Sequence, residues 1–124
     1  MIIIDNVKIV VVDDDILIKN LTVTALAYCV NREVRSFDNG RLAWEYINAG
    51  GEVDIVISDV DMPEMDGFAL MKKFREKYPD KIFIIMSGVL EYETKSKMAG
   101  ANAFLAKPFE INDLFSIVQY FVVN

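Results

Sequence analysis

Short continuous apolar runs alternate along this chain with segments whose apolar residues recur every three or four positions. Val7–Val12 is apolar apart from Lys8 and closes on the acids Asp13–Asp15. Ile55–Ser58, Ile82–Met86 and Ala103–Ala106 have the same character. Runs of this length suit strands covered on both faces, as in a parallel sheet. Val34–Phe37 is a weaker run and is expected toward a sheet edge.

The segments between these runs carry helical spacing. Ile16 to about Tyr28 places Leu17, Leu21, Thr24, Ala25 and Tyr28 on one stripe. Gly40–Ala49 does the same with Leu42, Ala43, Tyr46 and Ile47, and Phe68–Lys77 with Leu70, Met71 and Phe74. Residues around Glu93 to Ala99 form a short polar helix. Ile111–Val123 forms a long apolar one, with Ile111, Leu114, Phe115, Val118 and Val122 facing the core and Ile117, Tyr120 and Val123 falling off that face. Gly50–Gly51 and Gly100 stand where helices stop. Strands alternating with helices imply right-handed crossovers, hence a doubly wound α/β sheet with five parallel strands and five helices on two faces. No repeat or linker divides residues 1–124, which read as one domain. Ile2–Ile4 form an apolar stub ahead of the first strand.

In a sheet of this kind, ligands bind beyond the carboxyl ends of the strands. There the first strand ends in Asp13-Asp14-Asp15, the third in Ser58-Asp59, the fourth in Ser87-Gly88 and the fifth in Lys107-Pro108-Phe109. Taken singly, each has an ordinary explanation. An acidic run starts helices, an aspartate caps a turn, and a lysine or serine decorates a loop. Taken together they converge carboxylates, a hydroxyl and an ammonium on one edge. Clustered carboxylates resist joint ionisation unless a cation joins them. Magnesium is usually held by one or two carboxylates with water and phosphate oxygens. A carboxylate is also a nucleophile able to form an acyl phosphate, and phosphoryl transfer depends mainly on positioning and charge neutralisation.

Composition narrows the possibilities. A net charge of −6 argues against direct binding to nucleic acid or to an anionic membrane. The single cysteine, Cys29, precludes an intrachain disulfide, and no leader or membrane-span pattern is seen, so a reducing, cytoplasmic setting is expected. The chain has no histidine, which removes serine-type triads, most zinc sites and an internal phosphohistidine.

The blocks Val10–Asp15 (VVVDDD), Val56–Gly67 (VISDVDMPEMDG), Met86–Gly88 (MSG), Ala99–Phe104 (AGANAF) and Ala106–Phe109 (AKPF) resemble, in this order, the receiver domains of two-component response regulators. The resemblance runs from about Val7 to Val123. It implies the flavodoxin-like fold, strand order 2-1-3-4-5. It also implies phosphorylation of Asp59 from the phosphohistidine of a sensor histidine kinase or phosphotransfer protein, with Mg2+ as cofactor. Asp14 matches the direct metal ligand and Asp13 its water-mediated neighbour. Asp59 matches the phosphoacceptor and a further ligand, and Asp61 the residue whose backbone carbonyl binds the metal, with a side chain at the site rim that bears on hydrolysis. Ser87 matches the hydroxyl that moves to the phosphoryl group, Lys107 the lysine that pairs with it, and Phe104 the aromatic switch. Pro108 matches a proline usually preceded by a cis peptide. Asp15 reads as a cap, and Phe109 and Trp44 as packing. On this resemblance the chain is no enzyme beyond its own phosphorylation and dephosphorylation.

Between Ser87 and Phe104 the chain is about two residues shorter than the usual pattern, at the fourth helix or the loop before it. Partners are expected on the fourth helix, fifth strand and fifth helix, including a second copy of the chain. Two other readings compete. A haloacid-dehalogenase-like phosphohydrolase would use Asp13 and Asp15 as nucleophile and acid–base pair. It needs further metal-binding carboxylates after Lys107, where only Asp113, inside a helix pattern, is available. A non-switching scaffold would be expected to lack an acidic, acceptor or lysine position, and none is missing.

Overall fold

The computed structural model of the protein describes residues 6–27 and 32–122. The elements follow one another as β1 (Val7–Val12), α1 (Ile16–Ala27), β2 (Arg32–Phe37), α2 (Gly40–Asn48), β3 (Ile55–Asp59), α3 (Gly67–Lys77), β4 (Ile82–Ser87), α4 (Tyr92–Met98), β5 (Ala103–Ala106) and α5 (Ile111–Val122). All strand pairs are parallel, in the order β2-β1-β3-β4-β5. That is the doubly wound, flavodoxin-like order expected. The weak strand β2 lies at an edge. It begins at Arg32 rather than Val34 because backbone pairing with β1, Val7 opposite Arg32 through Val12 opposite Phe37, does not require apolar side chains. β3 and β4 each run one residue past their apolar runs, to Asp59 and Ser87. The stub Ile2–Ile4, Tyr28, Cys29 and Val123 lie outside the described residues.

The continuous apolar runs are explained by burial on two sides. Ile9, Val11, Ile55, Ile57, Ile84 and Met86 face one layer with Leu26 of α1 and Leu114 and Val118 of α5. Their neighbours Val10, Val12, Val56, Phe83 and Ile85 face the other layer with Ala43 and Ile47 of α2 and Leu70, Met71 and Phe74 of α3. Successive strand residues point to opposite faces, so consecutive positions in these runs are apolar, Lys8 and Ser58 apart. Trp44 and Phe109 pack against these cores, as expected.

Two helices differ from the expected faces. In α1 the buried residues are Thr22, Ala25 and Leu26, whereas Leu17 and Leu21 are 81% and 48% exposed and Thr24 is exposed. Apolar residues surround this helix, so spacing alone supports two stripes. The sheet takes the one on which Thr22 can donate to the Ile18 carbonyl at 2.8 Å and be buried without an unpaired hydroxyl. In α5, Leu114, Val118 and Val122 are buried as expected, but Ile111 is exposed in the first turn and Ile117 is partly buried against the core. Gly50 and Gly100, which follow α2 and α4, have positive φ, as helix-ending glycines do. α4, at seven residues, is the shortest of the described helices. No helix among the described residues is long and apolar enough to cross a membrane.

Candidate functional site at the carboxyl ends of the strands

The residue after β1, Asp13, is fully buried. One carboxylate oxygen accepts from the Asp15 amide at 2.9 Å and the other from Lys107 Nζ at 2.9 Å. Asp14 is exposed beside it. Asp15 turns to the helix, where its carboxylate accepts from the Leu17 and Ile18 amides at 3.0 and 3.2 Å, the cap expected of it. Asp59, the last residue of β3, accepts from the Val60 amide at 2.9 Å and lies 3.4 Å from Lys107 Nζ. Oxygens of Asp13, Asp14 and Asp59 fall within 4.8 Å of one another. Hard oxygen donors grouped in this way suit a hard divalent cation, and the exposure of Asp14 leaves space for its waters.

The charges are coupled. Burial pushes the Asp59 carboxyl above its ordinary value, and the nearby charge of Asp13 adds to this. Lys107 and the Val60 amide offset part of the shift. For Lys107, burial works against the ammonium, but the hydrogen bond and charge of Asp13, followed by those of Asp59, outweigh it and hold the lysine above its ordinary value. The result is a nucleophile candidate whose negative charge is incompletely compensated by protein.

Ser87 ends β4 and is buried; its hydroxyl oxygen accepts from the Val89 amide at 3.0 Å, while its carbonyl accepts from the Lys107 amide at 2.9 Å. The β4–β5 pairing therefore carries Ser87 and Lys107 to the same edge. The Lys107–Pro108 peptide is cis. Phe104 lies opposite Ile85 in β5, half-buried against the second core layer. Asp61 is exposed on the loop after β3, and its carboxylate is not among the grouped acids. It accepts instead from the Tyr92 phenol at 3.4 Å, and the Asp61 charge pushes that phenol above its ordinary pKa.

Sequence reasoning missed the Tyr92 contact. It also missed Arg75 of α3, whose guanidinium donates to the carbonyls of Lys81 and Gly100 and to Asn102 Oδ1, tying α3 to the start of β4 and to the connection between α4 and β5. Tyr92 opens α4, within the segment between Ser87 and Phe104 expected to be about two residues short, which is the one local signal that could have pointed to it. Arg75 has no local signal at all.

The family model described as "Response regulator receiver domain" matches residues 9–119. The chain is 36% identical over 113 residues to the DNA-binding transcriptional regulator NtrC of Azospirillum brasilense, covering 90% of this chain and 23% of that protein. It thus spans under a quarter of that relative's length. It is 34% identical over 107 residues to a chemotaxis protein CheY homolog of Campylobacter jejuni, covering 82% of each. Among solved structures, response regulator protein TrrA of Thermotoga maritima in complex with Mg(2+)-BeF superposes with a TM-score of 0.84 at 27% identity, covering 94% of this chain and 99% of that one. The strand order, the acids and lysine at its carboxyl edge and these likenesses along nearly the whole sequence agree, and the chain belongs to the response-regulator receiver domain family.

Proposed function

We propose that residues 1–124 act as one phosphorylation switch in which Asp59 accepts a phosphoryl group from the phosphohistidine of a sensor histidine kinase or phosphotransfer protein. The bond from phosphorus to the imidazole nitrogen breaks as a bond to an Asp59 oxygen forms, and the imidazole returns to its neutral form by taking up a proton. The observation that carries this reading is the grouping of Asp13, Asp14 and Asp59 within 4.8 Å, with Lys107 on two of them. The same grouping fits Mg2+, which Asp13, Asp14 and Asp59, together with the Asp61 backbone carbonyl, would hold. When bound, Mg2+ neutralises charge on the transferring phosphoryl oxygens. TrrA, the similar protein named above, carries Mg(2+)-BeF in its structure, which supports this choice of ion. Lys107 orients an oxygen of the arriving group, and Ser87 turns its hydroxyl from the Val89 amide toward another. Phe104 follows Ser87 inward, so phosphorylation redistributes two existing states. The protein performs no other chemistry than its own phosphorylation and dephosphorylation, and we place it in the cytoplasm.

Intact mass after incubation with acetyl phosphate and Mg2+ tests the acceptor. One added phosphoryl group is expected on the wild type and none on Asp59→Asn; equal labelling of the variant would falsify the assignment. Self-association through β5 and α5 is the proposed use of the face where Tyr120 is 63% exposed and a groove runs past Phe104, Pro108 and Ile117. Sedimentation should show dimer on adding beryllofluoride, lost in Tyr120→Glu. An unchanged mass on activation rules out the dimer.

A further inference from the structure

Helix α4 reaches the candidate site through Tyr92, whose phenol donates to Asp61 Oδ1 at 3.4 Å. The position of the Tyr92 ring is set elsewhere. It packs edge-on against Phe68 of α3, with centroids 5.5 Å apart and planes at 88°. Lys95 covers the same pair, its Nζ 4.4 Å from the Phe68 centroid and 5.8 Å from that of Tyr92. The buried hydroxyl of Ser96 donates to the Tyr92 carbonyl at 2.6 Å. These contacts leave the phenol oxygen beside the loop that follows Asp59. Among the described residues, the Asp61 carboxylate has no other hydrogen-bond partner, because Lys107 is directed to Asp13 and Asp59. Glu91, the residue that precedes α4, makes no side-chain cap to it, which increases the weight of the Tyr92 contacts in fixing its first turn.

We infer that Tyr92 is a positioning residue that holds the Asp61 carboxylate toward α4 and thereby lengthens the life of the phosphoryl group on Asp59. The inference rests on the reading of Asp59 as the acceptor. Loss of the group joins a water oxygen to phosphorus and breaks the bond from phosphorus to Asp59, giving back the carboxylate and inorganic phosphate. The proton lost by that water passes to a base or to bulk water. A carboxylate free to turn across the mouth of the site can take it. One engaged by a phenol has an oxygen occupied and stays to the side. The same bond makes the setting of α4 and the state of the site depend on each other, since a coupling between two places acts in both directions.

Decay of the acetyl-phosphate label, followed by intact mass, tests this in wild type, Tyr92→Phe, Asp61→Ala and the double variant. Tyr92→Phe keeps the ring on Phe68 and under Lys95 and removes the donor alone. Its label should decay about two- to tenfold faster, the worth of one hydrogen bond. Asp61→Ala should abolish that difference, so the double variant decays as Asp61→Ala does. Melting of the four metal-free, unlabelled proteins provides a reading independent of phosphorylation: the two substitutions should be non-additive if the bond exists. Equal lifetimes of wild type and Tyr92→Phe overturn the inference while leaving the acceptor intact. A faster decay that persists without Asp61 overturns it too, because Tyr92 then acts through another group. A wild type that takes no label overturns the acceptor reading, and the inference falls with it.

Discussion

Lys107 donates to Asp13 at 2.9 Å, closer than its 3.4 Å approach to Asp59. Before any phosphoryl group arrives, the lysine thus serves chiefly to balance a fully buried acid. Removing one partner of a buried pair leaves the other uncompensated. Lys107→Ala should therefore lower the stability of the metal-free protein by about 2–3 kcal/mol, somewhat less than a full buried-pair loss because the Asp15 amide still donates to Asp13. Mg2+ bound at these acids would supply the missing positive charge, so its stabilising effect should be larger in the variant than in the wild type. Parallel melts with EDTA and with Mg2+ check both statements, and an equal magnesium effect in the two proteins would count against a metal at these acids.

Substitution of Asp14 offers a test that separates the proposed metal binding from folding. It is exposed, and among the described residues its carboxylate has no hydrogen-bond partner. Asp14→Ala should therefore leave metal-free stability within about 0.5 kcal/mol of the wild type, as surface changes usually do. The wild type should gain about 2.7 kcal/mol when Mg2+ stands a hundredfold above its Kd, and the variant much less at the same concentration. Denaturant titrations with and without Mg2+ give both quantities.

The Asp59 carboxyl, raised by burial and by Asp13, makes stability depend on pH in a defined direction. Between the ordinary carboxylate value, about 4, and the raised one, the native state keeps a proton that the unfolded chain has released. Stability contributed by this group is therefore present below the ordinary value and lost as pH rises through the raised one. Asp59→Asn carries no charge at any pH. Without metal, its melting temperature should exceed that of the wild type at neutral pH by roughly 2–5 °C, and the gap should close as pH falls through this window. A gap that is constant with pH would mean that the Asp59 charge is not what the variant relieves.

The fold was legible wherever one local pattern had one meaning. Val7–Val12 and Ile82–Met86 suited strands buried on two faces and are such strands, and Leu70, Met71 and Phe74 marked the stripe that α3 buries. α1 was not legible to the same degree, because apolar side chains on all sides allow two stripes and the choice depends on the sheet. The acidic strand ends and Lys107 stood out by position and by family resemblance. Their pairing did not, since Lys107 and Asp13 are 94 residues apart and nothing near either selects the other. The same holds for Tyr92 with Asp61 and for Arg75 with Asn102, which meet only because β3, β4 and β5 are neighbours.

Two glycines at this edge should respond in opposite ways to the same added methyl group. Gly67 opens α3 against the end of β3, its amide donating to the Val60 carbonyl at 2.9 Å. A Cβ there would overlap the Asp59 carbonyl oxygen and stand 3.0 Å from the Val60 Cα. Both are backbone atoms and cannot turn aside as a side-chain end would. The loop after β3 must therefore shift and carry the Asp59 carboxylate with it. Gly67→Ala should cost about 1–3 kcal/mol, the usual range for overpacking. On the proposed acceptor role of Asp59 it should also slow labelling by acetyl phosphate, because the Asp59 carboxylate leaves the position shared with Asp13 and Asp14. Gly88, next to Ser87, faces open space: the nearest atoms to an added Cβ are the Lys107 carbonyl oxygen at 3.8 Å and Cβ at 4.0 Å, ordinary contact distances. Its φ is not positive, so alanine can adopt the backbone without strain. Gly88→Ala should leave stability unchanged or raise it by about 0.4–1 kcal/mol through the unfolded chain. Denaturant unfolding and initial labelling rates of the two variants, measured side by side, decide the matter. Equal stabilities would show that the contact of Gly67 with the Asp59 carbonyl does not constrain the loop.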